Sequence, residues 1–203
     1  MIHRKVIICL FLCLLIGCSQ SDDQDMTDSN LPRVTFDEQI VVMEQAYDVL
    51  SAIQNRKMTD LAEFVHPKKG LLFSPYGTVD NKRSQVFMPA QVKDLLTNKK
   101  QLEWGTEAGK GEPIRLAPED YFKTYVYDVE FIETDFVTYN GYYRETNSIQ
   151  NITEAFPESN YIEFFVPGSE EYEGMDWKSL KLVFTNYEGE PYLAGIVHDQ
   201  WTP

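Results

Sequence analysis

The spacing of apolar residues changes character once along this chain, near residue 128, and that change limits the fold more than any other feature. Before it, apolar residues recur at intervals of three and four, the period of a helix with one buried face. Phe36, Ile40, Met43, Tyr47 and Leu50 form such a series, widened by Val42, Ala46, Val49 and Ile53. Thr35 and Glu38 have capping-box spacing at its start. Shorter helices are expected from Asp60 to Val65, from Pro89 to Leu96, and from Pro118 to Tyr125, each bounded or opened by a proline. After residue 128 the pattern is that of strands. Phe136 to Tyr139 leads into the turn pair Asn140-Gly141, and Tyr161, Phe164 and Phe165 form an aromatic run. Leu180, Leu182 and Phe184 alternate with Lys181 and Val183, and Tyr192 to Trp201 returns after a turn at Asn186–Glu190. Helices followed by antiparallel hairpins predict an α+β fold: a curved antiparallel sheet with the N-terminal helices packed on its concave face.

The first residues carry export chemistry. Arg4 and Lys5 precede an apolar run, Val6 to Ile16, that is shorter than the roughly 20 residues a membrane-spanning helix needs. Leu15-Ile16-Gly17-Cys18 then resembles the lipobox of bacterial lipoprotein signal peptides. The resemblance implies cleavage after Gly17 and lipid on the Cys18 sulfur. It divides the chain into a signal peptide, 1–17, a lipidated cysteine with a flexible tether, 18–32, and one α+β domain, 33–203. Ser19 to Pro32 is polar, acidic and free of aromatics, as a tether should be. The expected location is the outer face of the cell membrane, or the outer membrane if the host has one, with the membrane itself as a partner through the lipid. The three cysteines are Cys9, Cys13 and Cys18, so cleavage leaves one, occupied by lipid. Disulfides, thiol nucleophiles and thiolate metal sites are thereby excluded.

Cleavage would also remove two of the 18 basic residues and none of the 32 acidic ones, leaving a formal charge of −16. Nucleic acid is a poor partner for such a surface. Charge is uneven, however: residues 56–115 hold 11 basic and 7 acidic groups, while residues 116–203 hold 4 and 17. The basic stretch reads either as solvated helix faces or as a docking face for an anionic envelope polymer; an envelope protein is the other possible partner.

The element order resembles the cone-shaped NTF2-like superfamily, in which a long first helix lies across a sheet and an open end forms a pocket. Trp177 to Phe184, Tyr192 to Trp201, His66-Pro67 and Gly70 to Tyr76 also look like a group of uncharacterised bacterial lipoproteins. That group brings no activity, and NTF2-like folds host enzymes, pockets and interaction modules alike.

Candidate chemistry is sparse. The resemblance points to His66, His198 and Asp199, because in NTF2-like enzymes a histidine and a carboxylate inside the cone act as general base and partner. Consecutive strand residues face opposite ways, so His198 and Asp199 should not share one cavity. His66, ahead of a proline, could instead meet the last carbonyls of a helix. Gly105 to Gly111 lacks the spacing of a phosphate loop and reads as a hairpin or lid. Glu170, Glu171, Glu173 and Asp176 could hold calcium or simply be solvated, without EF-hand spacing. Neither a metal site nor a cofactor is expected, and Asn151-Ile152-Thr153 is an accidental glycosylation match. Trp104, Tyr121, Tyr143, Trp177 and Trp201 are the candidates for a ligand-binding hollow, with core packing as the competing role. The leading expectation is a non-enzymatic module that binds a ligand or partner. The alternative is a hydrolase- or lyase-type enzyme using His66 or His198 as general base.

Overall fold

The computed structural model describes residues 36–202. The expected signal peptide, Cys18, the expected tether and Thr35 lie outside the described residues. The opening helix α1 runs Phe36–Gln54. Its inward stripe is Val42, Ala46, Val49, Leu50 and Ile53, all fully buried, whereas Ile40 and Tyr47 are 40% and 39% exposed. The buried face is therefore rotated from the expected one, toward the residues that only widened it. Tyr47 still meets the core edge-on at Phe164, with ring centroids 5.3 Å apart.

Helix α2, Met58–Phe64, ends where Val65 turns extended, one residue ahead of His66-Pro67. Strands β1 (Leu71–Ser74) and β2 (Gln85–Phe87) follow, then α3 (Pro89–Lys93) with a single turn of tighter helix at Leu95–Thr97. Gln91 closes the α3 entry by accepting the Met88 N–H at 2.8 Å. Strands β3 (Leu102–Thr106) and β4 (Pro113–Leu116) form a hairpin of their own, the form expected for the glycine-rich stretch. Helix α4, Pro118–Tyr125, has its predicted bounds, with proline in the first turn. The rest is β5 (Phe136–Tyr139), α5 (Ile152–Ala155), β6 (Ser159–Val166), β7 (Lys178–Tyr187) and β8 (Glu190–Gln200).

Six strands make one curved sheet in the order β2-β1-β8-β7-β6-β5, antiparallel except where β1 runs parallel to β8. The fold is thus α+β, with a long first helix across a mainly antiparallel sheet, the arrangement that the NTF2-like resemblance implies. β7 and β8 turn at Glu188 and Gly189, both with positive φ, the backbone of a two-residue hairpin.

Asn140-Gly141 does something different from the expected hairpin turn. β5 and β6 do pair antiparallel, but 19 residues separate them. Asn140 takes a left-handed φ of 50° and the chain leaves the sheet. Its Oδ1 accepts the Tyr161 N–H at 2.8 Å and its own N–H donates to Tyr161 O at 2.9 Å, which fixes the departure point. The excursion crosses the face of the sheet opposite the helices. Both faces are therefore covered. Phe164, Leu180, Leu182 and Ile196 meet the helices, while Tyr161, Val183 and Val197 meet Ile152, Ala155 and Phe156 from the excursion.

Candidate functional site

An NTF2-like cone would place a pocket between helices and sheet. Here that volume is occupied. Phe73, Trp104, Tyr121, Phe122 and Phe131 are each fully buried there. Trp104 stacks on Tyr121 with centroids 3.8 Å apart and an 11° interplanar angle, and Phe73 meets both edge-on. The Trp104 indole N–H donates to Leu116 O at 2.9 Å. Burial drives the Tyr121 phenol well above its ordinary pKa, and its hydroxyl has no hydrogen-bond partner among the described residues.

His198 closes one end of this core. It is fully buried, edge-on to Tyr125 at 5.9 Å. Its Nε2 lies 3.1 Å from Asp128 Oδ1 and its Nδ1 lies 3.3 Å from Pro75 O. Carboxylate and carbonyl oxygens only accept, so both contacts are hydrogen bonds together only when the ring carries both protons. Asp128 also pairs with Lys178 at 3.1 Å. Burial pushes the Asp128 carboxyl up, but the bond and charge of His198, then the charge of Lys178, outweigh it and hold the carboxyl below its usual range. Tyr125, through burial first and then its bond with Tyr76, is raised far above the ordinary phenol value.

His66 lies elsewhere. Its backbone N–H donates to Leu193 O, and Leu193 is five strand positions from His198, about 16 Å along β8. Rather than meeting helical carbonyls, His66 Nδ1 accepts the N–H groups of Lys68 and Lys69 at 3.1 and 3.0 Å, which holds the turn after α2. Burial, then the charge of Lys69, lower its pKa. The ring rests against Tyr187 and Tyr192.

Asp199 faces away from His198, as strand alternation requires, into a buried polar network beneath the excursion. Glu163, Ser179, Lys181 and Asp199 are each at most 2% exposed. Lys181 Nζ donates to Ser179 Oγ at 2.8 Å and lies 3.2 Å from Glu163 Oε1 and 3.9 Å from Asp199 Oδ2. Ser179 Oγ donates to Glu163 Oε1 at 2.6 Å, and the Tyr143 N–H donates to Glu163 Oε2 at 2.6 Å. Asp199 accepts from Ser148 Oγ at 2.8 Å and Gln150 Nε2 at 2.5 Å. Asp128, Glu163, Ser179 and Lys181 escaped the sequence reading. Lys181 carried the one usable signal, a lysine embedded in a strand of Leu and Val.

An open cleft of about 380 Å³ lies between the loop after β1, the end of β3 and residues 147–149. Its lining is mixed. Pro75, Tyr76 and Ala108 supply apolar surface, with the fully buried Trp104 bordering it; Ser74, Thr78, Ser84, Thr106, Asn147 and Ser148 supply hydroxyl and amide groups. Asp80 and Arg83 stand at the same cleft, 3.6 Å apart. Its walls are pinned: Thr78 Oγ1 donates to Ile149 O at 2.7 Å, and Asn151 exchanges two bonds with the Val79 backbone at 2.7 and 3.0 Å. Of the five aromatic candidates the cleft includes Trp104 alone. Tyr121 is in the core, Trp177 is buried against Phe165, and Tyr143 and Trp201 are 43% and 40% exposed. In the acidic loop, Asp176 binds the backbone N–H and hydroxyl of Ser169 at 2.7 and 2.9 Å. No metal-binding group of three or more His, Cys, Asp or Glu occurs among the described residues, and none of their helices is long and apolar enough to cross a membrane.

No family model matches the chain, and no curated protein matches it. Among solved structures, one named for a calcium/calmodulin dependent protein kinase II association domain from Xanthomonas campestris is similar at 11% identity, covering 84% of this chain and 91% of its own, with a TM-score of 0.33. At that score the likeness carries no inference about what this chain binds.

Proposed function

We propose that this chain is a lipid-anchored envelope protein whose domain binds a small, polar, uncharged ligand in the cleft beside Trp104, without chemical turnover. The observation that carries the reading is the contrast between cleft and histidines. The cleft is open, of ligand size, and lined by hydroxyl and amide groups around a few apolar walls, with its two charges, Asp80 and Arg83, paired to each other, the composition of a site that orients one polar, uncharged molecule. Both histidines, by contrast, are engaged inside the fold. His66 Nδ1 already accepts two backbone N–H groups. Both nitrogens of His198 face protein acceptors. A general base needs a lone pair aimed at substrate. The anchor rests on the lipobox resemblance at Cys18 and on the short apolar run before it.

A thermal-shift screen of the full chain against neutral sugars and short peptides tests the cleft. Ala108→Trp should fill it and abolish the shift of any hit, while His198→Gln should leave the bound fraction of a hit unchanged. A hit that is turned over by the wild type, and bound but not turned over by His198→Gln, would replace this reading with the hydrolase or lyase one. Labelling with a palmitate analogue tests the anchor: label that persists on Cys18→Ser would refute it.

A further inference from the structure

A second concavity, of about 660 Å³, lies where the end of α1 and the start of α2 meet α3 and α4. Arg56, Lys57 and Lys93 line it together with the hydroxyl-bearing Thr59 and Thr97 and the carboxylates Asp60 and Glu119. In a chain of net charge −14, the lining of this hollow holds three basic side chains against two acidic ones. Its carboxylates do not neutralise it. Glu119 is held by Lys123 at 3.1 Å, and Asp60 reaches Lys57 only at 4.0 Å. Lys93 pairs with no carboxylate among the described residues. The charges of Arg56, Lys123 and Lys99 all act on Glu119, so further cations converge on the same wall.

Arg56 is placed there at a cost. It adopts a left-handed φ of 56° in the turn between α1 and α2, a conformation that asparagine or glycine fills more easily. That turn brings its guanidinium over the face of Phe122 on α4, 5.8 Å from the ring centroid. Its Nη1 is buried and has no hydrogen-bond partner among the described residues. A ring-braced guanidinium beside lysine and threonine side chains is suited to an oxyanion, since its charge is held in place and lysine adds a mobile one.

We propose that this hollow is a second binding site, for the phosphate groups of an anionic polymer, and that it acts independently of the cleft beside Trp104. Shape favours a polymer over a membrane surface. A flexible chain can enter a concavity, whereas a flat anionic bilayer would meet only its rim.

The test titrates the full chain, in neutral detergent, with fluorescent polyphosphate at salt concentrations from about 50 to 200 mM. Affinity should fall with salt. Lys93→Gln with Lys99→Gln, both exposed and therefore safe for folding, should weaken binding by about three- to tenfold and flatten the salt dependence. Arg56→Gln should weaken it as well. Lys68→Gln with Lys69→Gln, which removes equal charge outside the hollow, should change affinity by less than about twofold. Equal loss in the two double variants, or no wild-type binding at the lowest salt, would overturn the proposal. Phosphatidylglycerol vesicles that displace polyphosphate equally well at equal phosphate would assign the hollow to lipid and overturn the polymer reading.

Discussion

Replacing Lys181 by methionine keeps a long unbranched side chain and removes its charge. Lys181 is 1% exposed and, among the described residues, is the sole cation in contact with Glu163 and Asp199, themselves 2% and 0% exposed. Methionine would leave two buried carboxylates with hydroxyl and amide donors but no opposite charge. Removing one partner of a buried pair costs about 3–5 kcal/mol, because the remaining charge stays desolvated. Net stability of a domain is about 5–15 kcal/mol, so the loss is a large share of it. For 150–250 residues each kcal/mol moves Tm by about 2–4 °C, which predicts a fall of about 6–20 °C. Urea unfolding of Lys181→Met, Glu163→Gln and the double variant would measure it. The double variant should regain more than half of the loss. One buried charge disappears with Glu163→Gln, and the amide oxygen that replaces the carboxylate still accepts from the Ser179 hydroxyl or the Tyr143 N–H. A Lys181→Met loss below about 1 kcal/mol would refute the reasoning: the network would then be hydrated enough to behave like surface ion pairs. A double variant no better than the single would refute it equally, since the damage would then come from packing.

Acid should act on this protein in two stages. The His66 pKa is lowered on folding, so the neutral ring is favoured in the native state; its contribution is complete above about 6.5 and is lost as pH falls through the lower folded value. Melting curves across that range should flatten in His66→Gln. Asp128 is likewise lowered from 3.8, and its contribution, complete above that value, is lost as pH falls below it; Asp128→Asn should be less stable at pH 7 and lose less on acidification. At Gly77 an added methyl would overlap Gln150 Nε2 and come 2.8 Å from Asp199 Oδ2, so Gly77→Ala should cost about 1–3 kcal/mol by urea unfolding.

What the sequence disclosed and what it hid divide along a physical line. α4 was legible because Pro118 marks its first turn and Glu119 and Asp120 suit its positive end. The β7–β8 hairpin was legible because alternation and turn are local. β1 was not, because its four residues offer no periodicity and its partner is β8, more than a hundred positions later. Lys181 read as the outward member of an alternating strand. It is buried because a polar excursion from another part of the chain covers that face, and nothing near Lys181 announces the cover. The cleft was illegible for the same reason: its walls come from three separated segments, of which Trp104 alone stood out as a ligand-type side chain.

The strand that is last in the chain is not last in the sheet. β8 lies between β1 and β7, its parallel partner having been made more than a hundred residues earlier. Until residues 190–200 arrive, β1 and β2 are one hairpin without a sheet to join, and the aromatic interior has no floor. A chain emerging N-terminus first can pair β5, β6 and β7 but cannot join β1 and β2 to them until residues 190–200 have been delivered. Closure of the sheet is therefore late. A stop codon placed before residue 190 should yield no partial domain, only protease substrate.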